Sequence, residues 1–384
     1  MATERAGGNA VAGFLLSGFL LALLGAILPA WGYHRDPADF VAVGNYFLAL
    51  AIGLVAATAL ADRLRRRKGL HFLLVFACLV SSVALGYLAM VSPPVVWWWR
   101  AGGLLLLGIG AGLLNVGLFH ALSREYSDDP AGTVYRGGIW YGLGCLAATL
   151  LVYASMTPGI LILMAAIPLL FAAIFARRRY ATAAEAQHPS MQQALADFKS
   201  PGAILFALLL FFQFGNEWSI AGWLPLLLHR RIGISPKEAV LMLGLYWFFL
   251  LTGRLAIVAV LSKVRHGRLL LGSAISALFG CLILYLTNNR FGAGSGVFFL
   301  GAGFASIYPL VAEAIGRRFP YYHPGFYNGI FSLALLGGLL APATLGYAAA
   351  SQGVGVVIGI PLVGTVMVTL LLSLIWLETK VTGR

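Results

Sequence analysis

The chain has 384 residues, 60% of them hydrophobic and only 10% charged, and its 26 Lys and Arg against 13 Asp and Glu give a net charge of +13. No soluble surface can be built from that composition, which places the chain among membrane proteins. The basic residues form short clusters between apolar runs rather than one polar face, so they read as topology signals and not as a nucleic-acid footprint.

About 20 apolar residues are needed to cross the hydrocarbon as a helix. Runs of that size predict twelve spans. The first, Ala10–Trp31, is preceded only by Arg5 and has no small-residue cleavage site, so it reads as a retained span rather than a signal peptide. Phe40–Ala61 and Leu70–Val91 follow. Val95–Leu122 opens on Trp97, Trp98 and Trp99, which suit an interfacial aromatic belt, and Arg100 beside them is expected to snorkel to the headgroups. Gly137–Met156 and the short Ile160–Phe175 complete the first set. The later spans are Gly202–Leu228, Ala239–Leu261, Leu269–Thr287, Gly292–Ile315, Phe326–Ala349 and Val354–Leu377.

The longest polar stretch, Ala176 to Pro201, falls between spans six and seven. It predicts a cytoplasmic linker over 180–201, joining one six-helix bundle over 1–179 to another over 202–384. With the amino terminus inside, 19 of the 26 basic residues lie in inner segments and 5 in outer ones, so the positive-inside rule puts both termini in the cytoplasm of an inner-membrane, multi-pass protein. The halves also echo each other. Gly53 stands nine residues before Asp62-Arg63-Leu64, as Gly253 does before Ser262-Lys263-Val264, and Leu28-Pro29 closes span one much as Leu224-Pro225 closes span seven. A parallel repeat of this kind implies a transporter with its site between the halves at mid-depth.

Glu217 is the only acid near the centre of an apolar run. Such a group resists insertion by about 2.5 kcal/mol or more and marks a substrate or ion path by default. At 100° per residue, Gln213, Asn216, Glu217, Ile220 and Leu224 share a face of span seven with Trp223 at its edge. Amides and a carboxylate suit hydroxyl-rich solutes, and a flat ring covers the apolar face of a pyranose. Amides also join helices in membranes without any ligand, so both readings stand for Gln213 and Asn216. Arg254, just past the centre of span eight, is either a structural ion-pair partner of Glu217 or part of the cytoplasmic gate. Glu313, near Arg317 and Arg318, also reads as a gate residue. Asn115, Tyr246, Trp247, Tyr308, Asn328 and Ser332 are further candidate lining residues.

The loop Ala61-Asp62-Arg63-Leu64-Arg65-Arg66-Arg67-Lys68 resembles the signature between spans two and three of the major facilitator superfamily, with Thr58 and Arg65 in place of its glycines. The resemblance covers essentially the whole chain. It implies an all-α fold of 12 transmembrane helices in two six-helix bundles, in which Asp62 and Arg63 hold the cytoplasmic ends together. Asp62 is also expected to meet the amino end of span eleven near Phe326. Gly215 to Pro225, Gly253-Arg254-Leu255 and Ala305 to Leu310 look like the branch of fucose permeases and sodium-dependent glucose transporters. That branch implies a sugar symporter. Fucose permeases carry their proton-bearing acids in spans one and four, yet Ala10–Trp31 and Val95–Leu122 hold none. If transport is coupled to H⁺ or Na⁺, Glu217 is the residue left to do it.

The expectation is a monomeric secondary transporter of a small polar solute, most readily a monosaccharide, with no cofactor beyond a coupling ion. No G-x-x-x-x-G-K-S/T loop offers an ATP site. An exporter of hydrophobic compounds on the same fold is the alternative, although span five lacks the glycine-proline motif usual in such antiporters. An enzyme is disfavoured. Single cysteines at Cys78, Cys145 and Cys281 and histidines scattered over span ends and loops gather no metal or acid–base site.

Overall fold

The computed structural model describes residues 2–177, 191–261, 263–323 and 328–382. Fourteen helices occur among the described residues: α1 (Ala2–Ile27), α2 (Phe40–Lys68), α3 (Leu70–Met90), α4 (Trp97–Ala121), α5 (Ser123–Asp128), α6 (Pro130–Ser155), α7 (Ile160–Ala176), α8 (Met191–Asp197), α9 (Pro201–Ile232), α10 (Pro236–Val260), α11 (His266–Leu286), α12 (Arg290–Arg318), α13 (Ile330–Gln352) and α14 (Val356–Thr382). Eleven are long and apolar enough to cross a membrane. The twelfth, α7, has 17 residues, about 26 Å at 1.5 Å per residue, which nearly matches the hydrocarbon thickness. These twelve form two six-helix bundles, and α5 and α8 are short additions on one face.

Local chemistry sets the ends. Asp39 caps α2 by accepting from the Ala42 N–H, and Asp129 caps α6 with Pro130 in its first turn. Ser235 and Glu238 close a capping box on α10. Gly69 at φ +86° separates α2 from α3 in a conformation a Cβ would resist. Helix boundaries run past the apolar runs where charge faces water. Thus α2 continues through Arg65–Lys68, although its apolar run ends at Ala61. Conversely α1 stops at Ile27, and Leu28 to His34 turn away, because Pro29 disfavours a helical residue before it. The expected start of span eleven, Phe326, lies outside the described residues.

Within the first bundle α1 packs on α6, α2 and α3 on α4, and α3 on α7. Within the second, α9 packs on α13 and α14, α10 and α11 on α12, and α11 on α14. Between bundles α2 meets α13 and α6 meets α10, with lesser contacts of α1 on α9 and α6 on α12. One face of the molecule carries the basic ends of α2 and α12, and there α12 is bridged to α14 by Arg318 and Glu378 at 2.8 Å and to α11 by His266 and Glu313 at 3.1 Å. It is called the basic face below. The other, the far face, carries the chain reversals after α1, α3, α9 and α11.

Candidate functional site

At mid-depth, α9 presents Glu217 and α10 presents Arg254, which are 8% and 4% exposed. Arg254 Nη2 stands 4.0 Å from Glu217 Oε1, too far for a hydrogen bond. The guanidinium is held from two other sides. Its Nε donates to the Ala305 carbonyl of α12 at 3.4 Å, and its Nη1 donates to the Gly138 carbonyl of α6. Arg254 therefore ties the second bundle to the first.

Both groups line a cavity between the bundles, enclosing about 840 Å³ with its open mouth included. Its polar wall adds Asn115, Thr133, Tyr141 and Tyr308, and its aromatic wall is Phe14, Phe119, Phe214 and Trp218. Those positions run from the middle of α9 toward the basic ends of α4 and α6. On the far side the bundles touch. Trp223 stacks on Phe47 at 6.0 Å, Tyr347 donates to Asn45, and Arg230 pairs with Asp36.

Of the residues expected from the sequence, Glu217, Arg254, Asn115 and Tyr308 meet at this cavity. The rest of the expected stripe turns elsewhere. Gln213 is fully buried, and its amide lies by the Glu217 carboxyl without closing a well-formed hydrogen bond. Asn216 packs its amide on Gly364 of α14. Trp223 is wholly buried and donates to the Pro342 carbonyl at 2.9 Å, so its ring serves the α2–α9–α13 seam. Tyr246 and Trp247 are buried edge to face at 5.0 Å, and Trp247 reaches only a smaller adjoining cavity. Asn328 and Ser332 sit at the start of α13, where Asn328 Oδ1 accepts from the His323 N–H at 3.1 Å and Ser332 Oγ donates to the Gly329 carbonyl at 2.6 Å.

Among the gate candidates, Asp62 accepts from His120 Nε2 at 3.1 Å and lies 3.6 Å from Arg65 Nε. Arg63 is exposed at the same end of α2. Glu313 pairs with Arg317 one turn on and with His266 Nδ1 at 3.1 Å, both within the second bundle. Arg100 corrects the snorkelling expectation: it is 5% exposed and turns inward. It donates to Tyr46 Oη at 2.7 Å, Tyr33 Oη at 3.1 Å and the Val95 carbonyl at 2.6 Å. Two hydroxyls and a carbonyl satisfy the charge better than a route to the headgroups. Sequence reasoning missed Trp218 and Tyr141. Their available signals were the neighbour position to Glu217 and the small-residue run Gly137-Gly138 one turn before Tyr141.

A multi-pass helical bundle with a polar-lined pocket between two halves defines a membrane transporter rather than an enzyme. The description Major Facilitator Superfamily matches residues 136–342, more than half of the chain, and the chain belongs to that family. A curated relative, an uncharacterized MFS-type transporter of Yersinia pestis, is 21% identical over 353 residues, covering 90% of this chain and 89% of that one. Solved structures share the fold at low identity. A D-xylose-proton symporter gives a TM-score of 0.75 at 16% identity, covering 98% of both chains. The nucleoside transporter NupG gives 0.68 at 15%, covering 99% of both chains. A variant of the E. coli fucose:proton symporter FucP gives 0.65 at 14%, covering 98% of this chain and 99% of that one.

Proposed function

We propose that this transporter moves a small hydroxylated solute, most readily a monosaccharide, by alternating access, with its movement coupled to an ion through Glu217. One observation carries the reading. The 4.0 Å gap between Arg254 Nη2 and Glu217 Oε1 leaves a donor and an acceptor facing one cavity. A hydroxyl accepts from one and donates to the other, which an apolar cargo cannot do. Asn115, Tyr141 and Tyr308 add further hydroxyl partners, while Trp218 offers a flat ring for the apolar side of a sugar. The xylose and fucose symporters named among the structural neighbours support this class of cargo.

In this reading the basic face is cytoplasmic, as the positive-inside rule requires, and both termini lie on that side of the inner membrane. The cavity then faces the cytoplasm, and the shut far face is the outer gate. The units are a bundle over 1–179, a linker over 180–201 and a bundle over 202–384, working as a monomer. Asp62, Arg63 and Glu313 act at the cytoplasmic gate. Export of apolar compounds is the second reading, favoured by the rings of Phe14, Phe119, Phe214 and Trp218 on one wall.

Uptake of radiolabelled monosaccharides into proteoliposomes, under separately imposed H⁺ and Na⁺ gradients, tests both. Accumulation under one gradient is expected, and Glu217→Gln should reduce uphill accumulation by at least about tenfold while leaving binding measurable. Full accumulation by that variant overturns coupling at Glu217. Absence of any sugar uptake, together with gradient-driven export of a lipophilic dye, selects the exporter.

A further inference from the structure

The far-face closure holds a pair of histidines that the transport reading does not use. His34 lies in the turn after α1, and His229 in the last turn of α9, so one comes from each bundle. Their rings meet edge to face, with centroids 5.2 Å apart and planes at 85°. Each ring is pinned by its own backbone: His34 Nδ1 donates to the Pro29 carbonyl at 3.0 Å, and His229 Nδ1 donates to the Ile234 carbonyl at 2.7 Å. A carbonyl only accepts, so Nδ1 carries the hydrogen in both rings and Nε2 takes any second proton.

The charges around the pair are mostly positive. His34 is flanked by Arg35 and Asp36 on its own turn, with Asp39 at the start of α2. From α9 come Arg230 and Arg231. Arg230 pairs with Asp36 and donates from Nη2 to the Arg35 carbonyl at 3.0 Å, while Arg231 turns away to Asn288 and the Tyr285 carbonyl. Lys237 lies over the Tyr153 ring, and Glu238 is engaged by Ser235 and Arg290. Asp36 is thus the acid that spans the bundles here, and it faces Arg230.

We propose that His34, packed on His229 across the bundles, is a proton-operated latch on the far-face gate, which holds the bundles together while its ring is neutral and releases them when the medium on that side acidifies. The sign follows from proton affinity. Burial, then His229, Arg35 and Arg230, push the His34 imidazole below its ordinary value of 6.5 in the closed arrangement, against the hydrogen bond to Pro29. When the bundles part, water and distance return that affinity upward. The closed form therefore binds fewer protons than the open one, and loses ground as pH falls below about 6.5. Histidine is the side chain that titrates between pH 5 and 8 without perturbation, so this window separates His34 from the carboxylates. The latch does not depend on which solute is carried.

The test places spin labels on Ser92→Cys and Ser351→Cys, far-face positions on opposite bundles, in nanodisc-embedded protein; the native Cys78, Cys145 and Cys281 are buried. Pulsed-EPR distances are recorded from pH 8 to pH 5.5. A long-distance population should grow on acidification, by up to about tenfold per pH unit for each proton taken up. His34→Gln with His229→Gln should abolish that growth. His229→Glu alone should reverse its sign, because a protonated His34 then meets an opposite charge. No lengthening in the wild-type background overturns the latch, as does the same pH response in either variant.

Discussion

The two bundles meet by different means on the two faces. On the far face, backbone meets backbone. A Cβ on Gly346 of α13 would strike the backbone of Phe40 and Gly44 of α2, and one on Gly25 of α1 would strike the Ala221 carbonyl of α9. Toward the basic face the bundles spread around the cavity, and the described contacts across them are made by side chains. There His323 sets its ring against Phe119 at 5.4 Å and Tyr126 at 4.2 Å. Ring contacts yield by rotamer changes, whereas apposed backbones part only by moving whole helices. A transporter with this arrangement opens locally toward the basic face and globally toward the far face, which makes the far-face step the one that a single substitution can block or force.

The largest break is steric. Gly346→Leu inserts a side chain where α2 and α13 touch, and overpacking of this kind amounts to about 1–3 kcal/mol. Spread over a two-state equilibrium, that is about a 5- to 150-fold shift toward a parted far face. Transport should stop, and the Ser92–Ser351 label distance should lengthen even at pH 8. An unchanged distance with normal uptake would show that α2 and α13 do not seal the protein.

A second experiment separates the two tryptophans of α9. Trp223 is wholly buried between Phe47 and the Pro342 carbonyl, so Trp223→Ala should lower unfolding stability by about 3–5 kcal/mol, read from thermal or denaturant melts in detergent. Trp218 is half-buried and faces the cavity, with one side against the cluster Ala51, Leu54, Leu335 and Leu339. Trp218→Ala should cost less stability and instead raise the KM for the transported solute about 3- to 10-fold, the worth of one aromatic contact. A reversal of the two outcomes would move the solute-stacking role to Trp223.

This contrast marks how far the amino-acid sequence carries. The spans, the lone mid-depth carboxylate and its arginine were legible, because a long apolar run and a charge inside it are local facts. Which side of α9 meets the cavity was not. The helix is enclosed by α13, α14, α10 and α1, and residues on all sides of it are buried, so no polar stripe singles out one direction. Asn216 thereby goes to α14 and Trp218 to the cavity, against the simple 100° rotation from Glu217. Arg100 failed for another reason: Tyr33 and Tyr46, its hydroxyl partners, are 67 and 54 residues away along the chain, and nothing local announces them. Asn328 and Ser332 share a face only if the helix already runs at 328. It begins at Ile330, so both residues belong to its start.

The smallest expected effect lies at the ion pair on the rim of the far face. Arg230 and Asp36 are bonded across the bundles, yet the Asp36 side chain is 82% exposed, and exposed pairs contribute about 0–1 kcal/mol. Arg230 also keeps its bond to the Arg35 carbonyl when the carboxylate is gone. Asp36→Asn should therefore slow uptake by less than about fivefold, and raising NaCl should produce a similar loss in the unaltered protein, since added salt weakens exposed ion pairs. An effect as large as that of Gly346→Leu would mean that charge, and not the close approach of α2 and α13, holds the far face shut. The two substitutions, compared by label distance in the same membrane, decide which contact governs the far-face closure.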